Sequence, residues 1–135
     1  MMANLTITPA SVATALGPTI SKTAGVAIAA GEVIYLDSAT STVKLADADA
    51  LLSAETVGIA LNSAAANQPV TYQSAGTITI GATVVPGTAY YVSSTAGSIC
   101  LESDLASGDY VTLLGIATTT AIISINIFRS ATAKA

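Results

Sequence analysis

The chain repeats itself, and any fold it adopts has to accommodate the same unit twice. Gly25–Leu45 matches Gly81–Leu101 at a constant offset of 56 residues. Gly25 falls on Gly81, Gly31 on Gly87, Tyr35 on Tyr91, Ser38 on Ser94 and Leu45 on Leu101. Conservative pairs fill in between: Ile28 with Val84, Leu36 with Val92, Val43 with Ile99. One residue is then inserted, and Val57-Gly58-Ile59-Ala60 falls on Leu114-Gly115-Ile116-Ala117. A register kept through six glycines marks an internal duplication.

Each copy reads as β structure. A turn at Gly31, or at Pro86-Gly87, leads into Val33-Ile34-Tyr35-Leu36 or Ala89-Tyr90-Tyr91-Val92. Pro-Gly supplies a preset φ followed by a permissive one. A polar turn (37–42 or 93–98) and a short strand around Val43–Leu45 or Ile99–Leu101 complete a hairpin. The VGIA and LGIA segments close each copy, and a glycine inside a strand implies a bulge or a close backbone approach. Val70/Tyr72 and Ile78/Ile80 alternate with polar neighbours around the turn Ser74-Ala75-Gly76, and Ile123/Ile125/Ile127 do so after the second copy. This period of two marks half-buried strands.

Composition supports the same class. Thr (19) and Ser (14) supply the polarity, while charged residues make up 9% of the chain against 52% apolar. Long charged side chains, which normally coat exposed helices, are nearly absent. The expected fold is all-β: a small antiparallel barrel or sandwich of eight to ten short strands built from a duplicated unit, with at most a short helix at Asp47–Ser53. Residues 24–130 form the β domain, with copies at about 24–62 and 80–127 and a tail at 131–135. Residues 1–23 stand outside the duplication in this reading. They are expected to form an extended arm, or a short helix started by Thr8-Pro9 and ended by Gly17-Pro18.

Most chemistry is hard to place on this chain. It has no histidine, which removes the commonest general base and zinc ligand. No G-x-S-x-G elbow, phosphate loop or C-x-x-C occurs. Asp47 and Asp49, and Glu102 with Asp104, follow the two repeat hairpins, either as calcium ligands or as solubilising turn residues. Cys100 lies in an apolar run and reads as a small hydrophobe suited to a reducing cytoplasm. The five tyrosines could stack on sugars or fill a core. The net charge of −4, with cations scattered at Lys22, Lys44, Arg129 and Lys134, does not suit nucleic acid. No apolar run approaches the ~20 residues of a spanning helix, and the N-terminus lacks the pattern of a signal peptide. The expectation is a non-enzymatic protein with no cofactor and no metal, whose poorly charged surface is covered by partners.

The run Ala24-Gly25-Val26, Ala30-Gly31-Glu32-Val33-Ile34-Tyr35-Leu36-Asp37, Gly58-Ile59-Ala60-Leu61-Asn62-Ser63-Ala64 and Pro69-Val70-Thr71 resembles the capsid decoration, or cement, proteins of tailed bacteriophages. Gly87-Thr88-Ala89-Tyr90-Tyr91-Val92, Ser107-Gly108-Asp109-Tyr110-Val111 and Leu114-Gly115-Ile116-Ala117 continue the likeness, which covers about residues 24–128. The resemblance implies a β domain on the outer surface of a virion, made in the host cytoplasm and commonly trimeric. Its partner would be the major capsid protein, often gripped by an N-terminal arm. Leu5, Ile7, Val12, Leu16 and Ile20 are the capsid-contact candidates on that arm. The alternative is a phage fibre or spike module that binds host surface glycans.

Overall fold

Short β-branched runs between glycine turns become strands throughout the computed structural model, which describes residues 4–135. The described residues contain eleven: β1 (Val12–Leu16), β2 (Thr19–Thr23), β3 (Val33–Asp37), β4 (Thr42–Leu45), β5 (Thr56–Ala60), β6 (Pro69–Gln73), β7 (Gly76–Ile80), β8 (Ala89–Val92), β9 (Ile99–Cys100), β10 (Tyr110–Ala117) and β11 (Ile122–Ala133). They form two antiparallel sheets, in the orders β1-β7-β11-β10-β8-β9 and β2-β6-β5-β3-β4. The protein is all-β and sandwich-like rather than a closed barrel. Among the described residues, regular helix is limited to single 3-10 turns at Pro9–Ser11 and Glu102–Asp104. Asp47–Ser53 forms a series of turns instead of a helix. There the Asp47 carboxylate accepts from the Asp49 amide at 3.1 Å and the Ser53 hydroxyl at 2.7 Å, which favours a turn over helical continuation.

The duplication is visible in the topology. The order β4-β3-β5-β6-β2 in one half is repeated as β9-β8-β10-β11-β7 in the other. Gly31 and Gly87 occupy equivalent turns with φ of 91° and 82°, a region that side chains with a Cβ disfavour. Gly58 and Gly115 lie beside equivalent ladder irregularities. A Cβ on Gly58 would stand 2.5 Å from the Gln73 carbonyl oxygen, and one on Gly115 would overlap that of Ser124.

The interiors correspond as well. Ala24, Ile28, Ile34, Val43, Ala60, Val70 and Tyr72 fill the first half. Their counterparts Ile80, Val84, Tyr90, Ile99, Ala117, Ile123 and Ile125 are all buried in the second. Burying one such large side chain contributes about 1.5–3 kcal/mol. Adjacent residues of a strand face opposite ways, so Val33 on β3 and Ile59 on β5 point away from the first interior and join the second core. The back of one half thus packs against the other half.

The expected arm is the main correction. Residues 12–23 are strands of the fold: β1 pairs with β7 and β2 with β6. β2 is itself the duplicate of β7, since Thr19–Thr23 shifted by 56 falls on Ala75–Thr79. In the first half Ala24 bridges Val43 directly, and the Gly25 amide donates to the Val43 carbonyl at 2.8 Å. The second-half equivalents, Ile80 and Ile99, are separated by the N-terminal segment. Val12 pairs with Ile80, and the Leu5 amide donates to the Ile99 carbonyl at 2.8 Å. The prolines are tolerated because Pro9 opens a 3-10 turn and Pro18 lies in the link between two edge strands. Gln73, fully buried, fastens this link by donating through Nε2 to the carbonyls of Leu16, Ala75 and Thr77 at 2.8–3.0 Å. The expected tail is also shorter, because β11 runs to Ala133 and the Lys134 amide donates to the Asp109 carbonyl.

Candidate interaction surface

The acidic residues do not assemble a site. Glu102 pairs with Lys134 at 3.4 Å, and Asp104 lies against the Leu101 amide. Burial, together with the carboxylates of Asp47 and Asp109, raises the Asp49 pKa. Among the described residues no three His, Cys, Asp or Glu side chains come together as metal ligands. Cys100 is buried, which pushes its thiol up to about 11 and leaves it a poor nucleophile. Tyr72 and Tyr90 face the two interiors, so their rings are unavailable to a sugar. A groove of about 380 Å³ between β11 and the 47–55 turns holds Arg129, Glu55, Thr112 and Leu51, and the Thr112 hydroxyl there donates to the Ala54 carbonyl at 2.8 Å.

What the surface offers is uncharged contact area. The first such region is the rim formed by β1, Gly17-Pro18 and β2, which supplies an outermost strand to each sheet. From Asn4 to Ser21 it carries no charge. An edge strand presents unpaired N–H and C=O groups, and proteins usually guard such edges with lysine or proline. β2 has Lys22 and β4 has Lys44, whereas β1 has neither. The five candidates separate here. Val12 is a core residue at 8% exposure, and Leu5 and Ile7 pack half-buried against the same core. Leu16 is 75% exposed and Ile20 40%, and these two remain on the rim.

The second region lies on the outward side of the β7–β11 sheet, where Phe128 and Ile116 are 63% and 47% exposed. Sequence reading missed both. Phe128 could have been found, because it falls in phase with Ser124 and Asn126 on the polar side of the isoleucine alternation. Ile116 could not, since its duplicate Ile59 is wholly buried.

Comparison with known proteins finds no matching family model, no similar curated protein and no similar solved structure.

Proposed function

We propose that this protein is a non-enzymatic structural module that binds the outside of a bacteriophage capsid and reinforces the shell, as the sequence resemblance implies. The observation that supports it in the structure is the β1–β2 rim, uncharged from Val12 to Ser21, with Leu16 and Ile20 exposed on the outermost strands of both sheets. Such a rim can add main-chain hydrogen bonds and apolar contacts to a capsid strand, while the two cores behind it hold its geometry. Reinforcement follows from mass action. A protein that binds only the assembled lattice, present at 100 times its Kd, stabilises each site by about 2.7 kcal/mol. The glycan-binding alternative is weaker, because Tyr72 and Tyr90 are enclosed.

Co-sedimentation of the purified chain with cognate capsids lacking it tests this reading. Saturable binding is expected, together with a higher temperature of capsid disruption. Leu16→Asp with Ile20→Asp should weaken binding by at least about tenfold, with the melting temperature of the free protein held within about 3 °C. Absent binding, or binding unchanged in the double variant, would overturn the assignment. Binding to immobilised glycans in place of capsids would support the fibre reading.

A further inference from the structure

We propose that Gln73 is the positioning residue of the β1–β2 rim, the side chain that fixes how Leu16 and Ile20 are presented to the capsid. The inference rests on the capsid-binding reading and names what that surface depends on. β1 and β2 form one line of chain interrupted at Gly17-Pro18, and β6 and β7 form another interrupted at Ser74-Ala75. The two lines pair antiparallel on both sides of the interruptions, from Val12 with Ile80 and Leu16 with Thr77 to Thr19 with Gln73 and Thr23 with Pro69. The rim is therefore the outer line of a two-stranded ribbon that crosses from one sheet to the other. Gln73 sits at the crossing.

Little else holds that outer line. β7, on the inner line, is anchored by Ile78 and Ile80, both wholly buried. Beyond Val12, residues 13–23 send no buried side chain into either core. The Ser21 and Thr71 hydroxyls bond at 2.9 Å, but in the open, where water competes. Gln73 is wholly buried, and its Nε2 lies 3.0 Å from the Leu16 carbonyl oxygen and 2.8 Å from those of Ala75 and Thr77. Its two hydrogens are shared among these acceptors. Converging carbonyls accept only a donor: an apolar side chain leaves them unpaired, and a carboxylate repels them. The crossing is also tight. A Cβ on Gly17 would stand 2.5 Å from the Ala75 carbonyl oxygen and 2.8 Å from Nε2, and one on Gly76 would overlap the Leu16 carbonyl. The cores thus fix β6 and β7, and Gln73 passes that order to the outer line. An edge held in shape beforehand binds without losing conformational freedom at that moment.

Gln73→Met keeps the length of the side chain and removes its donors. In capsid co-sedimentation it should weaken binding by about tenfold or more, although Leu16 and Ile20 are both present. Val92→Ala, a core change on β8, is the stability control and should bind like the unaltered chain. Hydrogen exchange on the free protein gives a readout that needs no capsid. In Gln73→Met the β2 amides should exchange about tenfold faster or more, while the Gly25 amide, bonded to the Val43 carbonyl, keeps its rate. If Gln73→Met does not fold, Gly17→Ala takes its place, since it retains Gln73 and crowds the same crossing, and the same two results are expected. Unchanged affinity, an equal loss in Val92→Ala or unchanged β2 exchange would overturn the positioning role, as would loss of the fold in both variants. Absence of binding by the unaltered chain would overturn the capsid reading itself, and this role with it.

Discussion

The two halves share a strand order and seven equivalent core positions, yet they are completed differently. The first half closes on itself through Ala24 and Val43, and its 61–68 connection folds over it through the bridge between Ile28 and Ala64. Its back is buried by its neighbour. The second half has a shorter connection at 118–121, borrows the N-terminal segment to span Ile80 to Ile99, and leaves its back open. Duplication thus produces a repeated interior at once, whereas the edges and faces of the two copies meet different surroundings and diverge. The open surfaces lie where the second copy has no equivalent of what covers the first.

Removing the borrowed segment is the most severe way to break this comparison. Deleting residues 1–16 takes Val12 out of the core, strips Leu5 and Ile7 from it and unpairs one side of β7. The expected loss is about 4 kcal/mol or more in denaturant unfolding, enough to unfold a marginal domain. Retained stability would return these residues to the status of an arm. Next come the strand glycines. Gly58→Ala and Gly115→Ala should each cost about 2–4 kcal/mol, because both would drive a Cβ into a backbone carbonyl. A large cost at one and none at the other would contradict the equivalence of the bulges.

The turn glycines should separate the halves. Both need positive φ, but a Cβ at Gly31 would meet Ile7 and Val12, while nothing lies within 4 Å at Gly87. Gly87→Ala should cost about 1 kcal/mol from backbone strain, and Gly31→Ala about twice that in the same unfolding assay. The smallest effects are in pH dependence. The ion pair of Asp37 and Lys44 at 2.8 Å occupies positions that shift to Ser93 and Cys100 in the second half. Lys44 holds the Asp37 carboxyl below its usual 3.8, so its contribution is present above that pH and fades as pH falls below it. Cys100 runs the other way. Its folded pKa is raised, so stability is retained below the ordinary thiol value of 9.0 and lost as pH rises toward about 11. Cys100→Ala should flatten the alkaline side of a melting profile, and Asp37→Asn should flatten only the acid side.

Sequence made the repeated parts legible because they rest on local chemistry. Gly31, Gly87, Gly58 and Gly115 are required by backbone conformation or close approach, and such requirements survive in both copies. β2 was hidden although it keeps the offset of 56. Lys22 stands where β7 has the buried Ile78, and every residue of β2 is exposed, so no alternation remained to read. β1 has no duplicate at all. For the candidate surface, the apolar residues of the segment were recognisable, but which of them face inward depends on the 3-10 turn at Pro9 and on pairing with β7, a partner more than 60 residues away.

Hydrogen exchange at three amides tests the central claim, that the N-terminal segment does for the second half what direct closure does for the first. The Gly25 amide bonds to Val43, the Leu5 amide to Ile99 and the Thr8 amide to Gly81, each at 2.8 Å. The account predicts that Leu5 and Thr8 exchange slowly, with protection comparable to that of Gly25. Exchange of Leu5 and Thr8 at free-chain rates while Gly25 stays protected would contradict it.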